Sequence, residues 1–184
     1  GGMQSLMWGL TKEMSKNFMI KVFADYQENH KEFDKEVNFS IERVGGIKFL
    51  RKIRKAQLIN EFLKENKVQG IIADHWKSLE LIKTTKNKYC LIHGKEINHP
   101  KGSFQNKKIV KVLNNVEKVI ANSEYTKNLA IDIGVDQAKI VVINPGVNPP
   151  IELNKKSCDK VDRLLKIKTP RLITVSRFDK RKNH

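Results

Sequence analysis

Residues 118–150, KVIANSEYTKNLAIDIGVDQAKIVVINPGVNPP, leave this chain few folds to choose from. Residues 118–122 are apolar and β-branched, as in a strand buried on both faces. Ser123 stands where a helix N-cap belongs, and Glu124 follows in the first turn, where a carboxylate favours the positive helix end. Leu129, Ile131 and Ile133 supply apolar side chains, and Gly134 is a natural stop. Residues 140–143 read as another short apolar strand, closed by Asn144-Pro145-Gly146. The spacing predicts a βαβ unit. It points to an α/β domain with a Rossmann-like, doubly wound parallel sheet and helices on both faces.

The remainder extends that pattern. Gly1-Gly2 precedes a helical stretch over residues 4–16, with Leu6, Met7 and Leu10 as its apolar positions. A doubly wound domain ordinarily has a strand ahead of such a loop, and here that first strand is missing. Further strands are expected over 19–23, 38–44, 70–73 and 88–92, and the polar run 27–35 reads as a loop. Residues 46–66 form one long amphipathic pattern, with Ile47, Leu50, Ile53, Leu58, Phe62 and Leu63 at helical spacing. Gly45-Gly46 reads as the turn before it. A brief helix is expected over 79–82 and a longer one over 104–116.

After Pro149-Pro150 the composition shifts. Residues 151–168 are polar and lysine-rich, as in an interdomain connection, and 171–175 (RLITV) begin a new strand. The expected organisation is a first domain over 1–150, a linker over 151–168, and the first strand and basic loop of a second domain over 169–184.

Composition narrows the function classes. With 39% hydrophobic and 30% charged residues, the 184-residue chain reads as soluble and globular. It has no apolar run of the roughly 18 to 20 residues that a membrane helix needs. No signal peptide is visible, but the first residue is Gly1, so that end does not settle localisation. Two cysteines, Cys90 and Cys158, make no disulfide framework, and a reducing cytoplasm is the default expectation. The net charge of +16 suits nucleic acid, an anionic membrane surface or phosphorylated substrates. It equally suits a general lysine bias spread over solvated faces, because the lysines are dispersed and few aromatics interleave with them. No CxxC pair, zinc-ligand spacing or GxxxxGK[ST] loop occurs, and Ser123 lacks the flanking glycines of a hydrolase elbow.

In an open parallel sheet, ligands sit outside the carboxyl ends of the strands. Asp74-His75, His93-Gly94 and Asn122-Ser123 all fall there on this reading. Gly1-Gly2 precedes a helix amino end, where bare N–H groups suit a phosphate; a tight turn explains the pair equally well. Asp74-His75-Trp76 also reads as a structural rim turn with Trp76 in the core. His93 has its own plain alternative, a histidine that ties down its loop.

Three ordered stretches carry a family resemblance. ANSEYTKNL followed by GV and KIVVINPGVN resembles the end of the N-terminal domain in group 1 (family 4) glycosyltransferases. GGMQSLMWGL resembles their glycine-glycine loop and first helix, and TVSRFDKRKNH resembles the first strand and basic loop of their second domain. The resemblance implies the acceptor-binding N-terminal half of a two-domain GT-B enzyme. It implies sugar transfer with retention of configuration from a nucleotide-sugar donor, with no cofactor and no essential metal.

The resemblance also assigns residues. It puts His93 beside the transferred sugar, assigns Gly1, Gly2, Arg177 and Lys182 to the donor diphosphate, and leaves His75, Gly94 and Ser123 on the sugar or acceptor rim. Without it, residues 177–184 are simply a basic tail. Ser176 replaces the usual glycine of the basic loop, and Asn144-Pro145-Gly146 departs from the commoner proline-asparagine-glycine order. The implied acceptor is a saccharide or lipid-linked saccharide of the cell envelope, for polysaccharide or lipopolysaccharide synthesis. The implied location is cytoplasmic, at the inner face of the membrane. The family's spaced glutamates would fall beyond His184, so this chain alone is expected to be inactive. The rival expectations are a basic nucleic-acid-binding α/β module and a non-catalytic interaction domain.

Overall fold

The computed structural model describes residues 2–84, 87–147 and 152–165. Its most buried strand pair explains the rest. Strands β4 (Asn87–Ile92) and β5 (Lys118–Ala121) run parallel, with Cys90 opposite Val119 and Ile92 opposite Ala121. All four of these side chains are fully buried. Strand β3 (Gly70–Ala73) adds to β4, and β6 (Ile140–Val142) adds to β5, giving the parallel order β3-β4-β5-β6. Parallel strands need long crossovers, and the intervening helices supply them. These are α4 (Trp76–Leu79), α5 (Phe104–Asn114) and α6 (Glu124–Ile133).

One face of this sheet carries the main core. Ala73, Cys90, Ile92, Val119, Ala121 and Ile140 point to it by register and strand alternation. Ile109 and Leu113 of α5 and Ala130 and Ile133 of α6 pack into the same cluster. Each large aliphatic side chain buried this way contributes about 1.5–3 kcal/mol. Ser103 caps α5 by accepting from the Asn106 N–H, and Ser123 caps α6 by accepting from the Thr126 N–H. Gly134 ends α6 at φ 107°, a left-handed conformation that a side chain would strain.

A second, two-stranded parallel sheet pairs β1 (Lys21–Asp25) with β2 (Ser40–Val44). Helix α1 (Gly2–Met14) precedes β1, α2 (His30–Lys35) joins the strands, and α3 (Lys48–Glu65) leads on to β3. Gly46 turns the chain into α3 at φ 101°. On one face of the pair, Phe23 meets Phe62 of α3 edge-on at 5.7 Å, and Asp25 bonds Lys55 of α3 at 2.7 Å. On the other face, Arg43, which lies beside Ala24, makes a forked contact with Asp34 of α2 at 2.6 and 2.7 Å. Trp8 of α1 stacks on Phe33 of α2 with ring centroids 4.1 Å apart. Helices α1 and α2 therefore cover one face and α3 the other. Ala56 of α3 also enters the main core, so α3 touches both sheets. This is the doubly wound, Rossmann-like α/β arrangement with helices on both faces.

Several boundaries differ from the expectation. The polar run 27–35 holds a helix, α2, because Phe33 finds Trp8 and Asp34 finds Arg43. The brief helix expected over 79–82 starts at Trp76 instead, where the His75 side chain caps it. Strands expected from residues 19 and 38 begin at Lys21 and Ser40. The chain divides into two compact units, Gly1–Pro145 and Gly146–His184. In the second, the polar stretch expected as a connection contains helix α7 (Lys155–Leu165), started by Asn154, whose side chain accepts from the Lys156 N–H. The strand expected over 171–175 lies outside the described residues.

Candidate functional site

The carboxyl ends of β3, β4 and β5 form one rim, because the three strands are parallel and in register. His75, His93 and Ser123 stand just past those ends. The turns after β4 and β5 adjoin. The Asn122 N–H donates to the Ile92 carbonyl at 3.4 Å, and a Cβ placed on Gly94 would lie 3.5 Å from Thr126 Oγ1. Gly94 has φ 108°, so the His93-Gly94 turn needs a glycine for its conformation, while a Cβ there would make only an ordinary contact with Thr126.

His93 is the chemically open member. Its backbone N–H donates to the Glu96 carboxylate, and the Ile97 and Asn98 N–H groups close the turn on the Gly94 carbonyl. Its Nε2 atom is buried and has no hydrogen-bond partner. A buried, unpaired polar nitrogen costs about 1–3 kcal/mol, a debt that a bound hydroxyl or phosphate oxygen would remove.

His75 has a structural task. Its Nδ1 accepts from the Lys77 N–H at 3.0 Å, which caps α4. Burial holds its imidazole below the ordinary value; Glu96 and Asp74 push it up, and Lys77 and His93 push it down. Four side chains thus act on His75 at this rim. Trp76 is 1% exposed and donates its indole N–H to the Glu96 carbonyl at 3.1 Å, as a core tryptophan with a polar tip should.

The Ser123 hydroxyl is engaged in the cap. It accepts from the Thr126 N–H at 3.2 Å and lies 3.1 Å from Thr126 Oγ1, which donates to Asn122 Oδ1 at 2.7 Å. Gly2 is the first residue of α1. Gly1, Arg177 and Lys182 lie outside the described residues. The site thus brings His75, His93, Gly94 and Ser123 to one rim.

Sequence reasoning put Asn122 on the rim but missed Glu96 and Thr126 as residues that fix it. The three-residue spacing from His93 to Glu96, and from Ser123 to Thr126, was the available signal. Among the described residues, no group of three His, Cys, Asp or Glu side chains is placed to hold a metal ion.

Two grooves flank the sheet. One, of about 410 Å³, is lined by Asn87, Asn114, Glu117 and Lys139 and lies at the amino ends of β4 and β5, away from His93. The other, of about 510 Å³, lies beside the rim between α3, α4 and α5, lined by Ile47, Phe49, Trp76, Lys77 and Lys108 among others. His93 lines neither groove. Glu80 at the base of the second bonds Lys52 and Lys108, and the Lys52 ammonium holds its carboxyl below the ordinary range.

The comparisons agree with this geometry. The model of Glycosyltransferase Family 4 matches residues 1–150. No curated protein matches. Among solved structures, the chain is similar to Anabaena Alr3699/HepE in complex with UDP, at 16% identity and a TM-score of 0.67, covering 90% of this chain and 47% of that one. The same protein in complex with UDP-glucose gives 17% identity and 0.65, covering 90% and 46%. A glycosyltransferase from Rickettsia africae ESF-5 gives 19% identity and 0.65, covering 91% and 46%. The chain therefore spans about half the length of these solved structures. With a matching family model over residues 1–150, the chain belongs to Glycosyltransferase Family 4.

Proposed function

We propose that this chain is the acceptor-side half of a retaining glycosyltransferase. The complete protein would move a hexose from a nucleotide sugar to a saccharide or lipid-linked saccharide of the cell envelope. The observation that carries this reading is the buried, unpartnered Nε2 of His93 at the carboxyl end of β4. That nitrogen would hydrogen-bond a hydroxyl of the transferred sugar and hold it in line for attack. Support comes from the solved neighbours whose complexes contain UDP or UDP-glucose.

In this reading Gly1 and Gly2 hold the donor diphosphate at the amino end of α1, and Arg177 and Lys182 meet it from the second domain. Arg177 would fork onto the phosphate oxygens, and Lys182 would act as a point charge on the leaving group. No metal or cofactor takes part. His75, Gly94 and Ser123 shape the rim rather than react. One half cannot exclude water from the cleft, so Gly1–His184 alone should release no nucleoside diphosphate.

The test is a panel of nucleotide sugars offered to this chain continued through a second nucleotide-binding domain. Release of nucleoside diphosphate from one of them supports the reading, and none from any refutes it. A tight, salt-sensitive gel shift with nucleic acid would favour the rival basic module instead.

A peripheral membrane contact is a second part of the proposal. Ile47, Phe49 and Leu50 are 74%, 71% and 59% exposed at the start of α3, beside Lys48. Among the described residues no helix is long and apolar enough to cross a membrane. The basic row of α3, Lys48, Arg51, Lys52, Arg54 and Lys55, is partly used internally, because Arg51 and Lys55 pair with Asp25 and Lys52 with Glu80. Docking would therefore rest on the exposed apolar residues more than on the basic row. Sedimentation with anionic vesicles should be weakened by Phe49→Ser; no sedimentation, or sedimentation that this substitution leaves unchanged, removes this part.

A further inference from the structure

In the groove between α3, α4 and α5, exposed apolar surface meets positive charge that nothing nearby neutralises. Ile47 and Phe49 line it from the start of α3, both well exposed, and the almost wholly buried Trp76 lines it from α4. Four lysines, Lys48, Lys52, Lys77 and Lys108, line it against a single carboxylate, Glu80.

The four lysines are not equivalent. Glu80 bonds both Lys52 and Lys108, the second at 3.3 Å, and Lys108 also lies over the Phe104 ring at 4.8 Å. These two ammonium groups are held by their partners, and their methylene stems add to the apolar lining. Lys77 lies over the Trp76 ring, 5.3 Å from its centroid. Among the described residues, neither Lys77 nor Lys48 has a carboxylate partner.

Size and chemistry together select the occupant. The groove holds about 510 Å³. Small-molecule sites run from about 300 to 1,000 Å³, and one turn of an α-helix with its side chains fills about 400–600 Å³. The groove therefore suits one small molecule, whereas a partner helix would seat only a single turn. A plain soluble anion would leave Ile47 and Phe49 in water. A neutral hydrocarbon would cover Lys48 and Lys77 without offering them an acceptor, which burial makes unfavourable. An anionic head on a short apolar chain meets both demands.

We propose that the α3–α4–α5 groove binds one molecule of an anionic amphiphile, of which an alkyl phosphate is the simplest member. The phosphate meets Lys48 and Lys77, and the chain lies along Ile47, Phe49 and the stems of Lys52 and Lys108. This is a site for single dissolved molecules, separate from the bilayer contact proposed above. It rests on the groove alone and stands whether or not the complete protein transfers a sugar.

The test is calorimetric titration of the whole chain with hexyl, octyl and decyl phosphate, each below its micelle concentration, at about 0.15 M salt. The groove predicts one site per chain, with octyl phosphate bound at least tenfold tighter than octanol, octyltrimethylammonium or inorganic phosphate. Affinity should rise about two- to fourfold per added methylene. Lys48→Glu and Phe49→Ser, both at exposed positions, should each weaken binding about tenfold or more, and Lys12→Glu on α1 should leave it unchanged. Where either groove variant fails to fold, Lys77→Gln is read in its place.

No saturable binding of octyl phosphate would overturn the proposal. So would equal affinity for octanol, which reduces the groove to an apolar patch, or for inorganic phosphate, which reduces it to a basic surface. An equal loss in Lys12→Glu would assign the attraction to net charge and also reject it. Sedimentation with anionic vesicles but no binding of the dissolved amphiphile would give Ile47 and Phe49 to a bilayer instead.

Discussion

The indole N–H of Trp76 donates to the carbonyl oxygen of Glu96 across 3.1 Å, and this bond joins the turn after β3 to the turn after β4. Glu96 in turn accepts the N–H of His93 through its carboxylate. The position of His93 is therefore set from the core outward. Trp76→Phe keeps the aromatic bulk but leaves a carbonyl without its donor, and should cost about 1–3 kcal/mol in urea unfolding. A loss below the error of the measurement would mean that water replaces the bond.

Acidification should weaken the fold through His75. Its folded value is held down by burial, so between that value and the ordinary one near 6.5 the unfolded chain binds more protons. Stability therefore rises with pH through that window and is lost as pH falls below about 6.5. His75→Asn keeps an acceptor for the Lys77 N–H and removes the titration. Its urea midpoint should vary less with pH across the same window; an unchanged slope would assign the effect elsewhere.

Asp34 should act in the opposite range. Its bond to Arg43 holds the carboxyl below the ordinary value, against a smaller upward push from burial. A lowered carboxyl adds stability above its unfolded value, about 3.9, and loses it as pH falls through the folded one. Asp34→Asn should cost about 1 kcal/mol at neutral pH, because the pair is only partly shielded. The two proteins should converge once the pH is below the folded value. A difference that persists in acid would point to packing instead of charge.

The cysteines should separate by reactivity. Cys90 is fully buried on β4, and burial pushes its thiol far above the ordinary range. Cys158 on α7 is partly exposed. Alkylation of the native protein followed by mass spectrometry should label Cys158 and spare Cys90 until denaturant is added. Early labelling of Cys90 would mean that β4 opens locally.

The parts of this fold that read directly from sequence are those where local chemistry and packing agree. Residues 71–73 are apolar between Gly70 and Asp74, and β3 occupies Gly70–Ala73. Ser123 and Gly134 bracket α6 as cap and stop because both act through their own backbone neighbours. Helix α2 was hidden because its turn is held by partners distant in the chain, Trp8 and Arg43, and its own residues show no apolar period. Helix α7 was hidden because its first half is polar and only its second half carries VDRLL. At the rim, the positions of His75, His93 and Ser123 followed from the parallel-strand rule. What each side chain does there did not. Whether a hydroxyl is engaged in a cap or a ring nitrogen is unpartnered depends on neighbours such as Glu96 and Thr126, which no periodicity reveals.

The most direct measurement of the proposed function is nucleoside diphosphate release by this chain joined to a second, nucleotide-binding domain, comparing the unsubstituted protein with His93→Ala and with His99→Ala as control. A hydrogen bond made to the reacting sugar predicts that His93→Ala slows release by about a hundredfold or more while His99→Ala leaves it unchanged. Equal rates for all three proteins would contradict the role of the unpartnered nitrogen at the end of β4.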